Sequence, residues 1–208
     1  DKLSSSVRNT LAFSLIAVLI IVVLGTLIAY LSVRRHNMAV SILDSLTMMP
    51  YIIPGSVMGI ALLMGFSSKP IKLMGTAAII ILAYVLRRMP YTIRSASAIL
   101  MNIHPSVEEA SMSLGASKLK TFIQITAPMM RGGVVSGAIL SWMTIISELS
   151  ASVLLYVTRT QTMTISIYTE VIRGNYGVAA AMSVMLTVVT ILVLMLFFKV
   201  SGKREMSL

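Results

Sequence analysis

At 208 residues, 57% hydrophobic and only 12% charged, with a mean hydropathy of +0.92, the chain has too few charges to clothe a water-soluble globule of its size. The absence of cysteine excludes disulfides and thiolate metal sites, and two histidines far apart in sequence do not make a metal centre. The net charge of +10 does not point to nucleic acid, because most basic residues sit at the ends of apolar runs, where the orientation rule for membrane segments places them.

Residues 10–33 form a charge-free run closed by Arg34, Arg35 and His36, long enough to cross a hydrocarbon core of roughly 30 Å at about 1.5 Å per residue. A second such run, 45–68, is interrupted by Pro50 and by Pro54-Gly55, so it is expected to kink or unwind before it completes its crossing. Residues 73–86 are short for a span, but Lys72 can snorkel at one end and Arg87-Arg88 can mark the other interface. Met89-Pro90 is expected to break that helix, leaving 92–103 as a separate surface helix. Residues 132–147, with small residues suited to close packing, are the fourth crossing, and 149–156 extend the same apolar character. Residues 159–176 read as a surface segment containing an amphipathic interfacial helix. Residues 174–198 are the fifth span, ended by Lys199, Lys203 and Arg204.

Between the third and fourth spans lies the one polar island, residues 109–128. Pro105 suits a first helical turn, Gly115 supplies a left-handed stop, Ser117 can cap a following helix, and that helix runs toward Pro128. A helix, a sharp turn and a second helix follow. The pattern Glu109-Ala110-Ser111, Gly115, Ile125, Ala127-Pro128 resembles the cytoplasmic signature loop of binding-protein-dependent ABC importer permeases, with Ser111 and Ala127 as the departures. Two further segments, 49–61 and 146–156, look like parts of the permeases that import ferric iron and of relatives for polyamines, thiamine and phosphonates.

The resemblance implies an all-α integral membrane domain over 1–208 with five transmembrane helices and a coupling loop at about 92–128. It also implies a bacterial inner-membrane location. The partners it implies are cytoplasmic ATP-binding subunits, a second permease half, an extracytoplasmic substrate-binding protein and the lipid bilayer. Its motif assigns ATPase coupling to Glu109, Ala110, Ser111, Gly115 and Pro128. ATP would be bound by the partner, since no phosphate-binding loop occurs here and Gly115-Ala-Ser-Lys lacks a second glycine. No cofactor, metal or catalytic constellation is expected. Because the sequence starts at Asp1 rather than Met, the resemblance suggests the C-terminal half of a longer fused permease.

Five spans with the signature loop inside put the N-terminus outside and the C-terminus in the cytoplasm. Eleven basic residues, Arg87 and Arg88 among them, then fall inside and six outside, which agrees with the orientation rule. The competing classes are a secondary transporter or a channel, but the inverted repeat of broken helices that would favour the former is not visible. Candidate pathway residues are Glu148, Ser147, Ser150, Pro54 and Gly55. Two readings of Glu148 stay open: a carboxylate facing the path, chemically suited to a hard cation such as ferric iron, or the end of the fourth span near the outer interface, satisfying neighbouring groups.

Overall fold

The computed structural model describes residues 2–35 and 37–201; His36, Lys203 and Arg204, which the sequence places at span ends, lie outside the described residues. All the regular structure in it is helical. Helix α1 (Lys2–Arg34) is followed by α2 (Met38–Ile52), α3 (Gly55–Gly65), α4 (Ala77–Met101) and α5 (Ser106–Ser113). Then come α6 (Lys118–Thr121), a π-helical turn (Phe122–Thr126), α7 (Ala127–Met129), α8 (Arg131–Ile146), α9 (Ser152–Leu155), a 3-10 turn (Thr158–Thr160), α10 (Met163–Ile172) and α11 (Tyr176–Ser201).

Helix α4 is the axis of the bundle, with α1 and α8 along its flanks and α2, α3 and α9 against its remaining sides. Its buried residues Ile79, Ile80, Ala83, Ile93, Ala96 and Leu100 keep one helical stripe over its whole length. This corrects two sequence expectations. Pro90 does not end the helix, and 92–103 is not a separate surface element but mostly the second half of α4. Proline removes one backbone bond, but apolar packing on both sides of it holds the axis, and the Ser141 hydroxyl of α8 donates to the Arg88 carbonyl at 3.0 Å beside the weakened turn.

Two glycines let α8 approach α4. A Cβ on Gly133 would lie 2.4 Å from the Ser95 carbonyl oxygen, and one on Gly137 would lie 2.5 Å from the Thr92 Cα. Both obstacles are backbone, so the helices must separate to admit a methyl group. Gly137→Ala is therefore expected to cost about 1–3 kcal/mol, the usual range for overpacking. Thermal unfolding in detergent measures this, and an unchanged midpoint would show that the contact is slack.

The second apolar run breaks at Pro54-Gly55. Helix α2 passes through Pro50 intact, and α3 departs from its direction by 113°, so the two do not make one straight crossing. By length and composition, α1 and α11 alone qualify as spans among the described helices, or up to four if α2–α3 and the bent α6–α8 segment each count as one. Helix α4 is long enough, but Arg87, Arg88 and Arg94 interrupt its apolar character. Leu15, Leu19 and Val23 on α1, and Val184, Val188, Leu192 and Met195 on α11, stay exposed, as they would against lipid or another membrane helix.

The bundle has two poles. At one, Asn9 of α1 donates to the carbonyls of Arg159 and Gln161, and Arg159 reaches the Gly75 carbonyl. At the other, the end of α1, the start of α2 and the end of α4 meet, with Arg94 on Asp44 at 2.9 Å.

Candidate functional site: the helix-turn-helix loop and a buried charge cluster

The loop after α4 is built by local chemistry. Helix α5 stops in a Schellman arrangement: the Ala116 N–H donates to the Ser111 carbonyl, the Gly115 N–H donates to the Met112 carbonyl, and Gly115 has φ +90°. No atom lies within 4 Å of a Cβ built on Gly115, so the backbone conformation, rather than crowding, requires glycine. The Ser117 side chain accepts from the Lys120 N–H and caps α6. Before Pro128 the chain widens into the π turn, with the Ala127 N–H reaching back to the Phe122 carbonyl, which relieves the clash a proline ring makes with the preceding turn.

Of the two glutamates at the start of α5, the sequence reading selected Glu109, which is exposed. Glu108 turns inward and is only 8% exposed. Its carboxylate accepts from Arg34 Nε at 2.9 Å and from the Tyr30 hydroxyl at 3.2 Å, while Arg34 Nη2 donates to the Ile103 carbonyl. The Tyr30 ring meets Phe122 at 4.8 Å, and the Ser111 hydroxyl pairs with that of Thr121 at 2.9 Å. The end of α1 therefore clamps both arms of the loop. This latch was not found from sequence; its signal was a Glu-Glu pair at a helix start, of which only one member can face the bundle.

Outward, the loop presents Glu109, Ala110, Leu114, Leu119 and Ile123, with Leu114 90% exposed. Pro128 is exposed and Ser111 half-buried. Glu108→Ala should cost about 1.5–3 kcal/mol, the range for hydrogen bonds to charged groups, whereas Glu109→Ala should stay within about 0.5 kcal/mol. Thermal unfolding of the two variants in detergent distinguishes them, and equal midpoints would contradict the latch.

The second constellation corrects the placement of Arg87 and Arg88 relative to Glu148, since the sequence puts them at opposite surfaces and the structure puts them in contact. Arg87 Nη1 donates to Glu148 Oε2 at 2.6 Å, and Arg88 Nη2 donates to the same oxygen. The other carboxylate oxygen accepts the Ala151 N–H at 3.1 Å, and the Ser152 hydroxyl bridges the Glu148 carbonyl and Tyr84. The arginines lie roughly 15–20 Å from either end of α4 at the ordinary helical rise. A pairing at one depth is incompatible with arginines at the inner surface and Glu148 at the outer one.

Four candidate pathway residues converge here. Gly55, at the α2–α3 break, is so close that an added Cβ would meet Ser150 Cβ at 2.4 Å and Arg87 Nη1 at 2.8 Å. Pro54 precedes it, and Glu148 is 5% exposed. Ser147 and Ser150 are exposed, and the Ser147 hydroxyl turns back to the Met143 carbonyl rather than to the cluster. No group of three or more metal-ligating side chains occurs among the described residues.

Comparison with known proteins places this architecture. The chain is 34% identical over 197 residues to the ferric transport system permease protein of Actinobacillus pleuropneumoniae, covering 95% of this chain and 29% of that relative. It thus spans under a third of the length of that protein, and 24% of a putative ferric transport system permease of Haemophilus influenzae. It is 30% identical over 177 residues to the molybdate/tungstate transport system permease protein of Pyrococcus abyssi, covering 85% of this chain and 68% of the relative. Among solved structures, a bacterial ABC transporter involved in the import of the acidic polysaccharide alginate superposes with a TM-score of 0.80 at 15% identity, over all of this chain and 81% of that one. Residues 21–205 match the binding-protein-dependent transport system inner membrane component, and the chain belongs to that family of ABC importer permeases.

Proposed function

We propose that this chain is a pathway-forming, multi-pass inner-membrane subunit of an ATP-driven importer. It works with a second permease half, an extracytoplasmic substrate-binding protein and cytoplasmic ATP-binding subunits. The observation that carries the reading is the helix-turn-helix loop, latched to α1 through Glu108 and presenting exposed Ala110, Leu114 and Leu119 to a partner. Glu109, Ala110, Ser111, Gly115 and Pro128 form or shape this docking surface for the ATPase. A similar fold in an alginate transporter crystallised with a pentasaccharide-bound periplasmic protein supports the external partner.

Five crossings with the N-terminus of this chain outside remain the proposed topology. With Arg87 and Arg88 assigned to the cluster, nine of the original eleven basic residues stay on the inner side against six outside, so the charge bias keeps its sign. Single cysteines at Ser5, Ser111 and Thr158 test it, since the chain has none of its own; Thr158 stands in for the neighbouring Thr160, which is buried. An impermeant thiol reagent applied to intact cells should label positions 5 and 158 and spare 111. Labelling at 111 would reverse the topology.

For the substrate, the two ferric relatives support ferric iron. An oxyanion is the second reading, supported by the molybdate/tungstate relative and by a putative 2-aminoethylphosphonate permease of Salmonella paratyphi A at 30% identity. The test is uptake by proteoliposomes holding the complete importer. Accumulation that needs both ATP and the binding protein supports an importer, and accumulation without ATP would contradict it.

A further inference from the structure

We infer that the Arg87–Arg88–Glu148 cluster gives the translocation path an uncompensated positive charge at the α2–α3 break, so the importer's substrate passes this point as an anion. Ferric iron, if carried, would cross in an anionic complex. The inference rests on the importer reading above and deepens it by assigning the substrate's charge.

Two guanidiniums share one carboxylate, and no second carboxylate among the described residues is placed to neutralise the pair. Asp44 is bound to Arg94, Glu108 to Arg34 and Glu170 to Arg173, while Glu109 is exposed on the loop at the pole beyond α4. Arg87 Nε and Arg88 Nε are buried without a hydrogen bond, so the single carboxylate leaves both guanidiniums incompletely paired. The side chains are not sealed off: Arg87 and Arg88 keep 14% and 16% of their surface, and Ser150, beside Gly55, is exposed.

An ionisable group in a membrane segment is costly unless it is paired or faces a watery cavity, and a net positive cluster leaves that cost unmet. An anion arriving at the break would meet charge-assisted donors in fixed positions, held there by Glu148. A bare multivalent cation would be repelled at the same point. Glu148 is thus a positioning residue, and the arginines are the groups that meet the substrate.

The test uses the complete importer in proteoliposomes with its binding protein. The anionic probes are molybdate, 2-aminoethylphosphonate and ferric iron as its citrate complex; the cationic probes are manganese ion and putrescine. The expected result is ATP-dependent uptake of an anionic probe and of neither cation. Arg88→Gln should reduce that uptake by at least about tenfold and Arg88→Lys should restore most of it, because charge matters more than the planar fork for a transient contact. Uptake of a cationic probe, uptake of none of the probes, or full uptake by Arg88→Gln would overturn the inference. Equal loss of assembled protein in the Gln and Lys variants would also overturn it, marking the cluster as a structural brace. Loss of association with the second permease half in Arg88→Gln alone would do the same, by pointing to a partner's carboxylate as the missing counter-charge. If the binding protein does not stimulate ATP hydrolysis by the wild-type assembly, the importer reading itself has failed.

Discussion

Replacing Gly115 by valine is expected to reduce binding-protein-stimulated ATP hydrolysis and uptake by at least about tenfold while leaving the chain in the membrane. Gly115 has φ +90°, where a side chain costs about 1–2 kcal/mol and a β-branched one more. Valine also strains the two Schellman hydrogen bonds, each worth about 1 kcal/mol net. A combined penalty of about 2–4 kcal/mol lowers the population of the docking-competent loop by one to three orders of magnitude. Gly115 touches nothing within 4 Å of an added Cβ, so the bundle itself should be unaffected. Gly115→Asn, which tolerates the left-handed region, should retain most activity. Equal activity in the valine variant would show that the turn is not what positions the loop.

Glu148→Ala is expected to be the most destabilising single substitution in the bundle. Removing one partner of a buried ion pair usually costs about 3–5 kcal/mol, and here it strands two guanidiniums together. Protein level and unfolding temperature should both fall. The triple variant Arg87→Leu, Arg88→Leu, Glu148→Leu discriminates stability from transport, because replacing a whole buried ion cluster by apolar side chains is often neutral or stabilising. It should recover most of the unfolding temperature and none of the uptake. Recovery of uptake along with stability would reduce the cluster to a brace.

The parts of this structure that were legible in the sequence are those written in local pattern. The apolar runs of α1 and α11, the left-handed turn at Gly115 and the cap at Ser117 each depend on residues within a few positions of one another. Pro90 misled because its local penalty is real, yet the buried stripe from Ile79 to Leu100 continues through it and α8 supplies a hydroxyl to the adjacent turn. That stripe was itself readable, and a periodicity taken across the proline would have joined the two halves. The pairing of Arg87 and Arg88 was hidden for a different reason. Paired arginines after an apolar run read as an interface mark, and the carboxylate they bind lies some sixty residues further along the chain. Selecting Glu109 alone overlooked Glu108, whose inward direction is set by Arg34 and Tyr30 on another helix. The Glu-Glu pair at the start of α5 signals that one member turns inward, but nothing local names which one or its partners.

If the α5 surface docks a cytoplasmic ATP-hydrolysing subunit, Ala110 lies at the contact, since the residue is small, exposed and about one turn before Gly115. In this cysteine-free chain, Ala110→Cys can be paired with single cysteines along the candidate groove of the ATPase in the otherwise cysteine-free assembly. Oxidation of inside-out vesicles should then yield a disulfide between the two subunits whose extent changes when ATP is added. No crosslink at any groove position, with Ala110→Cys equally open to thiol reagents whether or not the ATPase is bound, would show that α5 is not the docking surface.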